Sequence, residues 1–135
     1  MKKLLACAAL VGSMALAGGA SAATWPTMVQ GIWGGPANGS NMQYNFTFQK
    51  PGGKCPVIYG VLTDLTYSTI SSMSGFYCPG SGRMVFMRKD AKGQVFQVFH
   101  GNASQVLPKT VMLLSGHFTD YTKKQGIEYP FALQK

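Results

Sequence analysis

Two histidines and four carboxylates are the side chains of this chain best suited to moving protons or holding a metal ion. His100 and His117 stand in strand-like runs with Asp120 close behind, and Asp64, Asp90 and Glu128 complete the acidic set. Histidine beside a carboxylate is the raw material of general acid–base catalysis, and the same groups serve as zinc ligands. The spacing assembles neither. The two histidines fall in separate runs instead of at the short intervals of a metal motif. Asp90 and Asp120 sit in or beside turns, where acceptor side chains serve the backbone. A nucleophile, a base and a group to orient that base cannot all be named. The expectation is a protein that is not an enzyme, with no metal site and no cofactor.

Sulfur chemistry is the next possibility. Cys55 and Cys78 each stand at the edge of a strand-like run and are each followed by a proline. The third cysteine, Cys7, falls in an expected leader, and the two that remain after its removal read as a structural disulfide in an oxidising compartment. A redox pair would want Cys-x-x-Cys spacing and a helix N-terminus to stabilise a thiolate. Closing a loop of about 24 residues removes roughly 3 kcal/mol of unfolded-state entropy.

Charge offers a third kind of chemistry. Twelve Lys and Arg stand against four Asp and Glu. Arg83, Arg88, Lys89 and Lys92 gather around the turn at Asp90, with Lys123-Lys124 as a second pair. At least three of the first group are expected to share one rim. Such a rim either meets an acidic partner or blunts edge-to-edge strand pairing. The aromatic residues lie on apolar faces and are not interleaved with the cations, which argues against nucleic acid.

These groups are carried by one domain behind a leader. Met1-Lys2-Lys3 is a positive n-region, Leu4 to Ala17 an apolar h-region containing Cys7, and Ala20-Ser21-Ala22 a small-x-small cleavage site. The apolar stretch is too short to anchor the chain across a bilayer, and no second transmembrane segment follows. Residues 1–22 are expected to be a signal peptide of bacterial type. Residues 23–135 then form a single exported domain, periplasmic or secreted.

The domain reads as strands throughout. In Met42 to Gln49, Met42, Tyr44, Phe46 and Phe48 alternate with polar residues, the period of a half-buried strand. Tyr129, Phe131 and Leu133 repeat the pattern in Glu128 to Gln134. Further runs are Met28 to Trp33, Pro56 to Asp64, Ser72 to Cys78, Arg83 to Lys89, Gln94 to Gly101 and Thr110 to Tyr121. Proline and glycine close Lys50 to Lys54 and Pro79 to Gly82, and glycines end the short loops at Gly93 and Gly126. Eight runs with a turn at each break predict a small antiparallel barrel or sandwich. Val111 to Leu114 is apolar on both faces, which makes a homo-oligomer possible on pattern alone.

Three segments carry a resemblance that selects the barrel. Gly31-Ile32-Trp33 matches the Gly-x-Trp of the first strand in calycin barrels, which include lipocalins and avidins. Asn38-Gly39-Ser40-Asn41-Met42 is similar to the first loop and second strand of avidin and streptavidin, and Lys109 to Leu114 to their seventh strand. The resemblance implies an all-β, eight-stranded, up-and-down barrel with one disulfide. It implies a ligand-binding mouth with Ser40 as a hydrogen-bonding group and Tyr59 near the pocket tyrosine. The chain departs from the avidin pattern at Met112 and Gly35, where the family has tryptophan and asparagine.

Two functions are expected from these features. In the first, a small apolar or amphipathic ligand sits in the barrel mouth, lined by Ser40, Tyr44, Tyr59, Tyr77 and Met112. In the second, the barrel is an interaction module whose rim loops and basic hairpin dock an envelope component or a hydrolase.

Overall fold

The computed structural model describes residues 24–106, 111–122 and 125–135. The expected leader, the Lys109-Thr110 start of the seventh run and the Lys123-Lys124 pair lie outside them. Eight strands follow one another: β1 (Gly31–Ala37), β2 (Ser40–Gln49), β3 (Val57–Asp64), β4 (Thr69–Cys78), β5 (Arg83–Lys89), β6 (Val95–Val106), β7 (Val111–Asp120) and β8 (Ile127–Gln134). Each pairs antiparallel with the next, and β8 returns to β1, so the sheet is a closed up-and-down barrel. This architecture is consistent with a calycin-like fold. Among the described residues no helix is long and apolar enough to cross a membrane.

Period-two patterning builds the wall. In β5, Met84, Phe86 and Arg88 are buried while Arg83, Val85, Met87 and Lys89 face outward. β8 does the same with Phe131 and Leu133. The inward residues fill the barrel with rings. Phe99 stacks on Phe86 at 4.6 Å and on Phe118 at 4.7 Å, and Tyr44 meets Phe86 and Phe99 edge-on. Such aromatic pairs add about 0.5–1.5 kcal/mol each beyond the area they bury.

Three local departures from the expected pattern have physical causes. Phe48 is exposed and Gln49 buried, the reverse of a simple alternation. The register jumps from Phe46↔Gly60 to Phe48↔Tyr59. Thr47 is therefore an extra, bulged residue, and one extra residue flips every later side chain to the other face. The first strand begins at Gly31, not Met28, and runs through Gly34-Gly35-Pro36. A Cβ on Gly35 would stand 2.1 Å from the Ala132 carbonyl oxygen, so glycine is what lets β1 approach β8 there. β6 continues past Gly101 to Val106, because Ala103 packs inward between the polar residues Asn102 and Ser104.

The closing seam is sparse. β1 and β8 are paired at Gly34↔Gln134 and Ala37↔Phe131. Each strand contains a proline, Pro36 and Pro130, with no N–H to give a ladder.

The two ends of the barrel differ. At one end, residues 24–30 run across the opening as a strap. Trp33 Nε1 donates to the Val29 carbonyl at 2.7 Å, and the Tyr77 hydroxyl donates to the Pro26 carbonyl. Gln49, turned inward by the bulge, accepts from Val29 N–H and donates to the Thr27 carbonyl. The Cys55–Cys78 disulfide is formed, joining the β2–β3 loop to the end of β4 on this side. The other end carries the turns β1–β2, β3–β4, β5–β6 and β7–β8, and is the mouth of the barrel.

Candidate functional site

The mouth is floored by a polar network. Alternation points Arg88 into the barrel with Met84 and Phe86, and only 6% of it is exposed. Its Nε donates to Ser71 Oγ at 2.9 Å, and its Nη1 donates to Gln97 Oε1 at 3.1 Å. Gln97 Nε2 in turn donates to Asp120 Oδ2 at 2.8 Å. Phe96, which the β5–β6 register skips as a bulge, lies with its ring 4.9 Å from the guanidinium carbon. Burial lowers the pKa of Arg88, and the negative charge of Asp64 opposes that, with smaller contributions from Tyr44 and Asp120. Burial also raises Tyr44 well above the ordinary phenol range, with Arg88 pulling the other way. Among the described residues no buried side-chain polar atom lacks a hydrogen-bond partner.

Three aspartates shape the rim above this floor. Asp64, at the end of β3, accepts from Thr66 N–H at 2.9 Å and Tyr67 N–H at 3.2 Å. Asp90 accepts from Lys92 N–H and Gln94 N–H, at 2.9 and 2.8 Å, and Asp120 accepts from Thr122 N–H at 2.8 Å. Carboxylates that bond the backbone of their own loop replace turn hydrogen bonds and fix the loop's shape. The β3–β4 turn is held twice more: Leu65 N–H donates to the Asn41 carbonyl at 2.9 Å, and Asn41 N–H donates to Thr66 Oγ1 at 3.0 Å. Ser68 completes this turn in the left-handed region, at φ 55°. The turn therefore holds Leu65, Tyr67 and Ile70 outward, with 51%, 71% and 73% of each exposed. Three of the four carboxylates thus serve the rim and its floor.

The expected site residues are dispersed over the molecule. Ser40 opens β2 at the mouth and is half-buried, and Tyr44 lies deeper, inside the aromatic core. Tyr77 belongs to the strapped end. Met112 is at that end too, its backbone paired with Lys135. Tyr59 faces out of the barrel, 49% exposed and tilted against Phe48. These five side chains do not line one cavity. The inward alternation of β2 and β4 takes Tyr44 and Tyr77, while the outward alternation of β3 takes Tyr59.

The basic cluster also divides. Lys89 and Lys92 stay by the Asp90 hairpin, Arg83 starts β5 at the far end, and Arg88 is internal. The expectation of three cations on one rim is corrected by strand parity: residues 83 and 88 lie five apart, hence on opposite faces.

Sequence reasoning passed over the Leu65-Thr66-Tyr67-Ser68 turn. Its signal was present, in two large apolar residues placed inside a turn headed by an aspartate. Three depressions among the described residues lie on the outside of the barrel. One, beside the β1–β2 turn, is lined by Pro36, Asn38, Pro130 and Phe131. Another lies over β3–β5, lined by Val57, Tyr59, Phe76, Met87 and Lys89. A third lies over β5–β7 around His100 and His117. No protein-family model matches the sequence, and no curated protein matches it.

Proposed function

We propose that the protein is an exported, non-enzymatic interaction module that docks on the anionic lipid surface of the cell envelope through the rim of its barrel mouth. The observation that carries this reading is the pinned β3–β4 turn, which holds Leu65, Tyr67 and Ile70 in solvent beside the Lys92 hairpin. Leaving three large apolar side chains in water is unfavourable, and burying a fully exposed aliphatic side chain in an apolar layer is worth about 1.5–3 kcal/mol, of which Leu65, half-buried already, would gain about half. Neighbouring lysine supplies attraction to anionic headgroups. The filled interior and the Arg88 floor support a mouth that meets a surface in preference to engulfing a ligand. The avidin resemblance enters through the barrel's shape alone, because both tryptophans of the chain, Trp25 and Trp33, belong to the strapped end.

The test is co-sedimentation with phosphatidylglycerol vesicles and with neutral phosphatidylcholine vesicles. The expected result is binding to the anionic vesicles that weakens with salt, and a loss of at least about tenfold in Tyr67→Ser/Ile70→Ser. Equal partition into both vesicle types, or a double variant that binds like the parent protein, defeats the reading.

A second reading keeps a small amphipathic ligand at the mouth. It is favoured by the apolar depression beside the β1–β2 turn, one residue from Ser40. Native mass spectrometry of protein from its own host should then show a retained small molecule, and an unliganded mass rejects it.

A further inference from the structure

The outer wall of β5, β6 and β7 carries a polar cluster that the rim does not use. Cross-strand register places Val57, Phe76, Val85, His100 and His117 in one row from β3 to β7. Directly opposed residues share a face, and neighbouring strands lie about 4.8 Å apart. The row therefore changes from hydrocarbon to imidazole between Val85 and His100. The two histidines stack with ring centroids 5.5 Å apart and planes 18° from parallel. Among the described residues, neither ring makes a hydrogen bond.

The histidines share an open groove with Arg83, Asn102 and Ser115. Every polar side chain in this groove can donate a hydrogen bond, and no carboxylate lines it. That donor set suits an anion. Among the described residues no three His, Cys, Asp or Glu gather to hold a metal ion, and the Arg83 charge opposes a cation.

We propose that this groove is a binding site for a phosphoryl group, gripped by the Arg83 guanidinium on one side and the His100–His117 pair on the other. The guanidinium fork matches two phosphate oxygens at once. Each stacked imidazole can present a ring N–H to a phosphoryl oxygen lying between the pair and Arg83.

The charged groups on the adjoining outer faces are few. β5 carries Arg83 and, towards the mouth, Lys89. β8 carries Glu128, one outward position beyond Pro130, which is the partner of His117. Asp120, on β7 itself, is committed to the mouth network.

The deciding experiment is a titration of nitrogen-15-labelled protein with inorganic phosphate, following the imidazole nitrogens. Saturable shifts of both rings are expected. Arg83→Gln and His117→Gln should each weaken binding about tenfold, since each removes a charge-assisted contact. Both side chains are exposed, so the fold is expected to persist, and dichroism checks it.

A parallel titration uses dodecyl phosphate below its micelle concentration. Tighter binding than phosphate, with shifts reaching Val85 and Phe76, supports the site and assigns its ligand as the headgroup of an amphiphile. Equal affinity supports the site and assigns free phosphate. Absence of saturable shifts overturns the proposal, as does zinc chloride shifting both rings where phosphate does not. Failure here leaves the rim reading untouched, because that rests on Tyr67 and Ile70.

Discussion

Arg88 holds the mouth floor together through side chains from three strands: Ser71 of β4, and Gln97 of β6 with Asp120 of β7 behind it. Desolvating a guanidinium costs several kcal/mol, and this is offset only where charge and hydrogen bonds replace water. Here two aspartates, the hydroxyls of Ser71 and Thr69, an amide and the Phe96 ring do so. Removing the guanidinium strands those partners in a site that water does not reach freely. Arg88→Ala should therefore lower unfolding free energy by about 3 kcal/mol, the penalty of breaking a buried charged network. Lys89→Ala, one residue on and outside the wall, should change it by less than about 0.5 kcal/mol. Urea denaturation of the two variants checks the contrast, and equal effects would mean that the network contributes nothing to the fold.

At the scale of elements, the sequence carried the number of strands, their order and the disulfide, because each depends on short-range signals. Alternation marks β2, β5 and β8, and Pro-Gly turns separate them. The phase within a strand was less legible. Thr47 and Phe96 look like ordinary strand residues, yet each is bulged, and the consequence for Gln49 and Phe48 is set by pairing with a distant strand. The start of the first strand differs for a related reason: Met28 to Gln30 continue the run into Trp33, but they belong to the strap, where Val29 is held by the side chains of Trp33 and Gln49. The site was legible only in part, since Arg88, Lys89 and Lys92 are close in sequence while parity decides that Arg88 is internal.

Pairing also explains which glycines the elements need. A Cβ on Gly116 would stand 2.0 Å from the His100 carbonyl oxygen and 2.6 Å from Gly101 Cα, so β6 and β7 approach too closely for any side chain. Around Gly34 a Cβ would meet nothing within 4 Å. Gly116→Ala should cost about 2 kcal/mol or more, the scale of forced backbone shifts in a packed interior. Gly34→Ala should stay within about 0.5 kcal/mol of the parent protein. Thermal unfolding of the pair tests this, and an unperturbed Gly116→Ala would show that β6 and β7 can separate at no cost.

Taken whole, the barrel is braced differently at its two ends, and the brace at the strapped end responds to pH. The disulfide fixes the ends of the β2–β3 loop and β4, contributing about 3 kcal/mol through the unfolded chain. Its neighbour Tyr77 ties the strap to the barrel by donating to the Pro26 carbonyl, a bond available only while the phenol keeps its proton. Burial pushes the Tyr77 pKa up to about 12 from an ordinary 10.0. The unfolded chain then releases this proton first as pH rises. The contribution of Tyr77 is complete below about pH 10 and is lost as pH climbs towards its folded value of about 12. Within that window stability should fall by up to about 1.4 kcal/mol per pH unit on account of this proton. Tyr77→Phe has no proton to lose there. The variant should be less stable than the parent at neutral pH, having lost the strap bond, and its stability should decline less steeply above pH 10. Tyr44 is raised by burial in both proteins, so it adds the same slope to each and cancels in the comparison. Urea unfolding at stepped alkaline pH, read beside tyrosinate absorbance, measures the difference. Identical slopes would mean that the Tyr77 phenol ionises as readily in the folded barrel as in the open chain.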